Sequence, residues 1–114
     1  MPESVIEPLR NRDDFGELRE SGRTVNTPFL RFRYVKNETS SWKIGYAIGR
    51  PYGNAVQRNR LRRRLRHCWA DAGVKAAHGG GLILVSPTRQ TNEASFTQLL
   101  DAVRILMHEL VTTS

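Results

Sequence analysis

Apolar residues recur along this chain with two different periods, and the changes of period mark its elements. In "FLRFRYVK", Leu30, Phe32 and Tyr34 alternate with Arg31 and Arg33, the period of two expected of a half-buried strand. "WKIGYAIG" alternates in the same way, with Trp42, Ile44, Tyr46 and Ile48 opposing Lys43, Gly45 and Ala47. The turn residues of "KNETSS" between the two runs predict a hairpin. The short "RTV" at residues 23–25 offers one more strand ahead of them. "LILVS" is apolar on both faces, as a central strand is.

Three segments follow a helical period instead. In "NRDDFGELRESG", Asn11 is placed to N-cap a short helix, and Asp13 and Asp14 sit where the helix dipole favours acids. Gly22 is its stop, and Phe15 and Leu18 are its expected inward residues. After the loop "GRPYG", Asn54 precedes a helix whose Leu61, Leu65, Cys68, Trp69 and Ala72 fall within one sector. "EASFTQLLDAVRILMHEL" places Phe96, Leu99, Leu100, Val103, Leu106 and Leu110 on one face. "HGGG", residues 78–81, reads as a turn before the last strand.

The resulting order is αββαβα, or αβββαβα if residues 23–25 form a strand. One sheet backed by helices is the economical packing, in a single α+β domain spanning residues 1–114. The sheet is expected to be mainly antiparallel and four-stranded, with its third or fourth strand short. Residues 1–8 and 112–114 are expected to be disordered ends.

Charge changes the picture at one place. The chain carries a formal +7, from 18 basic and 11 acidic residues. Residues 50–66 alone hold seven arginines and no acid, and the stretch from Arg58 to Arg66 has six arginines in nine positions. The remainder of the chain is therefore neutral. A merely solvated basic helix normally interleaves glutamates at i±4, because like charges at that spacing cost a few tenths of a kcal/mol per pair. No acid appears between Glu38 and Asp71. An anionic partner would supply the missing countercharge, since each neutralised phosphate also releases counterions.

The same helix leaves several polyanions to weigh. A membrane-surface helix would need its apolar stripe exposed, whereas this stripe is required to cover the sheet. Duplex DNA stays open on composition, with Gln57 and Asn59 as base-reading candidates. RNA gains if aromatics lie beside the basic helix, where Phe15, Phe32 and Tyr34 are candidates. The excess of arginine over lysine, 15 to 3, suits a planar group that forks onto phosphate.

Independent enzymatic chemistry finds little support. There is no Gly-x-Ser-x-Gly elbow to accompany "HGGG" and no phosphate-binding Gly-x4-Gly-Lys-Ser/Thr loop. His67, His78 and His108 lack metal-ligand spacing, and Asp13 and Asp14 read as first-turn helix acids. Cys68, the single cysteine, lies in the apolar stripe as an inert core thiol. With no disulfide possible, no signal peptide and no run of about 20 apolar residues, a soluble cytoplasmic protein is expected.

"GYAIGRPYGNAVQRNRLRRRLRHCW" resembles the signature of the bacterial ribonuclease P protein family. The likeness is carried by Gly53-Asn54-Ala55-Val56, by Arg58-Asn59-Arg60 and by the basic and apolar alternation through Arg66. "RDDF" before it and "LILVSP" plus an amphipathic helix after it agree in order, so the resemblance spans roughly residues 8–110. It implies an α/β sandwich with the basic helix in a left-handed βαβ crossover. It also implies a subunit of a holoenzyme in which a catalytic RNA, with Mg²⁺ held mainly by that RNA, removes the 5′ leader of precursor tRNA. The isolated protein would be inactive, with no catalytic residue of its own, and monomeric in the complex. By motif position, Arg50, Asn54, Arg58, Asn59, Arg60, Arg62, Arg63 and Arg66 are expected to contact RNA. Phe15, Arg19, Phe32 and Arg58 are expected in the leader cleft. Arg19 stands where the family usually has a second phenylalanine, and Gly49-Arg50-Pro51-Tyr52 replaces its usual Ser-Lys-Lys. A non-catalytic, ribosome-associated or other basic RNA-binding protein is the alternative.

Overall fold

The computed structural model describes residues 5–73 and 79–112. Its elements are β1 (Val5–Pro8), α1 (Arg12–Ser21), β2 (Arg23–Asn26), β3 (Leu30–Asn37), β4 (Ser41–Tyr46), α2 (Ala55–Asp71), β5 (Gly80–Pro87) and α3 (Phe96–Thr112). The five strands form one sheet in the order β1-β4-β5-β3-β2. The α+β class and the single sheet backed by helices agree with the sequence reading, but the sheet is mixed and has five strands. β1 runs parallel to β4 and β4 parallel to β5, while β3 is antiparallel to both β5 and β2.

Two expectations about the strands are corrected. Residues 5–8, expected within a disordered end, form β1, and the Leu9 amide continues the pairing by donating to the Ile44 carbonyl at 3.1 Å. Pro8 is tolerated because β1 is an edge strand, whose outer side needs no donor. At the other end α3 includes Thr112. Nor do β3 and β4 form a hairpin, because β5 lies between them. As the strand apolar on both faces, β5 takes the central place, with its buried run Leu82, Ile83 and Val85. The β3–β4 connection must then arch over its entry. Side chains on Gly80 and Gly81 would run into the Ser41 and Val35 carbonyls respectively, and Gly81 has φ 153°. That is the use of the glycine run; His78, its first neighbour, lies outside the described residues.

β4, α2 and β5 make a crossover between adjacent parallel strands, as a helix-length connection allows. α2 and α3 cover one face of the sheet. Leu30, Phe32, Tyr34, Ile44, Ile83 and Val85 from the strands meet Leu61, Leu65, Cys68 and Trp69 of α2 and Leu99, Val103 and Leu106 of α3. Polar contacts also fasten α3: the Tyr34 hydroxyl donates to Glu109 Oε2 at 2.9 Å, and Lys36 Nζ to the Leu110 carbonyl at 2.6 Å. α1 lies on the opposite face over a smaller cluster of Leu9, Leu18 and Leu82. Its cap at Asn11 is as expected, the side chain accepting from the Asp13 amide. Gly22 does close the helix, yet its φ is −70°, so no left-handed cap is involved. Glycine is needed there because a Cβ would collide with the Leu18 carbonyl and, beyond it, with the crossing Arg33 side chain.

Candidate nucleic-acid interface

α2 begins with a reciprocal cap. Asn54 Oδ1 accepts from the Gln57 amide at 2.9 Å, and Gln57 Oε1 accepts from the Asn54 amide at 2.8 Å. This fixes the first turn without any charged residue. It also ties the Gln57 side chain to the cap, whereas Asn59, equally exposed, takes no part in it. The stripe Leu61, Leu65, Cys68 and Trp69 is at most 2% exposed. Trp69 reaches the sheet, edge-on to Phe32 with ring centroids 6.1 Å apart, and its Nε1 donates to the Tyr46 hydroxyl at 3.0 Å. The register of the helix is thereby locked, and the arginines have only outward directions left.

They divide into surfaces. Arg60, Arg63 and Arg66 are exposed, while Arg58, Arg62 and Arg64 are half-buried. Arg62 Nη1 donates to Asn59 Oδ1 at 3.0 Å, and Arg64 Nη2 donates to the Ala94 carbonyl at 3.0 Å, bracing α2 against the loop before α3. Arg58 Nε is sealed from solvent and has no hydrogen-bond partner, a state that costs about 1–3 kcal/mol when left unrelieved. Among the described residues, no carboxylate pairs with any arginine of α2; ion pairs form elsewhere, as between Lys43 and Asp14 at 3.3 Å and Arg104 and Asp101 at 3.7 Å. The positive field is felt by its neighbours. Burial raises the Tyr46 pKa, while Arg66 and Arg62 pull it back, and burial raises that of Tyr52 against Arg64 and Arg60. Cys68 is pushed up to about 11 by its burial, consistent with an inert thiol.

The other expected site residues are scattered. Arg50 is exposed on a 3₁₀ turn, Arg50–Tyr52, that leads into α2. Asn54 is exposed but its carboxamide oxygen is occupied by the cap. On the opposite face of the sheet, α1 carries Phe15, 36% exposed rather than inward, and the exposed Arg19. Phe32 must be withdrawn from the cleft: its ring is 0% exposed in the core beneath α2 and offers no face to a partner. Sequence reasoning missed Tyr52 and Arg64, which with Arg60, Gln57 and Asn92 line a polar cavity of about 400 Å³. The i, i+4 spacing of Arg60 and Arg64 was the available signal.

Comparison with known proteins bears on what these surfaces serve. The family model described as Ribonuclease P matches residues 5–111. The ribonuclease P protein component of Chloroflexus aurantiacus is 31% identical over 101 residues, covering 89% of this chain and 75% of that protein. That of Chloroflexus aggregans is 31% identical over 107 residues, covering 93% and 79%. Among solved structures, the RNase P protein from Thermotoga maritima superposes with a TM-score of 0.76 at 23% identity, covering 90% of this chain and 96% of that one. The Staphylococcus aureus RNase P protein gives 0.74 at 17%, covering 90% and 93%. At these identities the structures speak for the fold alone, whereas the family match runs through β1, the arginine helix and nearly all of α3. The chain belongs to the ribonuclease P protein family.

Proposed function

We propose that this chain is the RNA-binding protein subunit of a ribonuclease P, assisting a catalytic RNA in removing the 5′ leader of precursor tRNA. The observation that carries the reading is the row of α2 arginines without a carboxylate partner, displayed on a helix whose register is fixed by its buried stripe. Phosphates of the RNA supply the countercharge. Arg60, Arg63 and Arg66 take them from solvent, and Arg58, Arg62 and Asn59 contribute along the same helix, with Arg50 at its approach. The crossover carrying α2 is taken as left-handed on the family resemblance. Phe15 and Arg19 on α1 are the side chains proposed to meet the leader, Phe15 by stacking and Arg19 by its guanidinium plane.

Among the described residues no three His, Cys, Asp or Glu side chains gather into a metal cage. The Mg²⁺ of the reaction is assigned to the RNA. What the protein contributes is charge neutralisation and placement of the leader, as one copy per complex. No helix among the described residues is long and apolar enough to cross a membrane; the cytoplasm, where precursor tRNA is processed, is the proposed compartment. The test is direct: the protein, a bacterial ribonuclease P RNA and precursor tRNA are mixed at low Mg²⁺. Stimulated 5′ maturation is expected, and its absence would reject the assignment.

A further inference from the structure

A second cavity, of about 690 Å³, opens between β1 and the second half of α2 and shares only Arg62 and Arg66 with the arginine surface described above. Ile6, Pro8, Tyr46, Arg62, Arg66 and Trp69 line it. It exists because β1 pairs along β4 and thereby walls off the flank of α2. Its volume falls within the usual range for small-molecule sites, roughly 300–1,000 Å³, and its walls are mostly apolar with a few polar groups. We infer that this cavity receives one unstacked nucleotide of the RNA partner, its base against Tyr46 and the aliphatic wall of β1 and its phosphates on Arg62 and Arg66.

The arrangement suits that occupant on three counts. Trp69, 2% exposed, forms the floor, so the half-buried Tyr46 is the ring available to a base. The Tyr46 oxygen already accepts from Trp69 Nε1, and among the described residues its own proton has no acceptor, leaving one donor for a base edge. Burial raises its pKa, so that proton is retained at neutral pH. Finally, Arg62 and Arg66 stand at i, i+4 on one flank with no carboxylate paired to either. Glu7 and Arg10 also line the cavity and offset each other, so the net charge there is that of the two helix arginines. An apolar slot with one hydroxyl donor and a doubly cationic rim fits an unpaired nucleotide better than a neutral or cationic ligand.

This inference rests on the RNA-binding reading above, and its test separates the two. Ala70 lines the cavity from an exposed helix position, so Ala70→Phe fills the space without removing a core contact. Affinity for a bacterial ribonuclease P RNA at fixed salt should fall about tenfold in Ala70→Phe, on the scale of one lost base–aromatic stack. Its melting temperature should stay at the parent's, and Ala70→Ser should bind as the parent does. A folded Ala70→Phe that binds like the parent would overturn the cavity assignment alone; a parent that binds no such RNA would overturn the functional reading beneath it. A second readout uses the trinucleotide of adenylate at millimolar concentration. The indole N–H resonance of Trp69 should shift, because its acceptor hydroxyl gains a partner, while that of the core Trp42 stays put. No shift at Trp69 would overturn the assignment.

Discussion

The sheet treats its two faces differently. Beneath α2 and α3, Phe32, Tyr34, Ile44, Ile83 and Val85 are at most 3% exposed. On the α1 side, among the described residues, the buried apolar side chains of the cluster are Leu9, Leu18 and Leu82, and Val35 and Leu84 remain half-buried. What apolar contact does not supply there, polar contact does. Arg33 Nε donates to the Leu18 carbonyl at 2.6 Å and its Nη2 to that of Arg19 at 3.1 Å, while Lys43 pairs with Asp14. One face is therefore a sealed core that holds the arginine helix in register. The other is thinly covered, leaving Phe15 and the outer sheet surface open to a partner.

The largest test of this contrast is in the cores. Leu65→Ala, at 0% exposure, should lower stability by about 2–5 kcal/mol and toward the upper end of that range. Leu18→Ala should fall near the lower end, since α1 is free to close the gap. Chemical denaturation compares them, and equal losses would erase the distinction. Next, Arg33→Met should cost roughly 1.5 kcal/mol by releasing two carbonyls at the end of α1. Amide exchange should quicken in α1 and not in α3; uniform quickening would mean that the tether is not local.

Alkaline pH probes the sealed side. The Cys68 thiol, with an ordinary pKa of 9.0, is pushed to about 11 by burial, so it stays neutral in the folded chain while ionising in the unfolded one. Its contribution is complete below pH 9 and is lost as pH rises from 9 through about 11. Stability of the parent should therefore fall over that window more steeply than that of Cys68→Ala, by an amount on the order of 1 kcal/mol at pH 10. Parallel curves would show a thiol that is not buried. The smallest effect expected is at the cap. Asn54→Ala should cost about 1 kcal/mol, read as a lowered melting temperature with fraying of the first turn of α2.

Much of the molecule was legible because its elements are amphipathic. The alternation of Leu30, Phe32 and Tyr34, the stripe of α2 and the apolar face of α3 match the buried positions, except that Ala72 and Phe96 at the helix ends are half-buried. β1 was not legible, since "VIEP" has no useful alternation and contains a proline; it becomes a strand only because β4 presents an unpaired edge. The expected β3–β4 hairpin failed because local turn signals cannot reveal that a later strand will enter between two neighbours. The clue lies in Gly80 and Gly81, whose smallness serves the close approach of neighbouring strands as well as a turn. In the site, the uncompensated charge of α2 was plain from composition. The fate of Phe32 was not: a period of two assigns a residue to a face without telling which face will be sealed.

The central claim is that the arginines of α2 find their countercharge on RNA rather than within the chain. Affinity for ribonuclease P RNA, measured over a range of salt concentrations for the parent and for Arg60→Ala with Arg63→Ala, tests it most directly. The double variant should bind more weakly, with a slope of log affinity against log salt that is shallower by roughly 0.7–0.9 for each lost phosphate contact. A slope equal to the parent's would contradict the account.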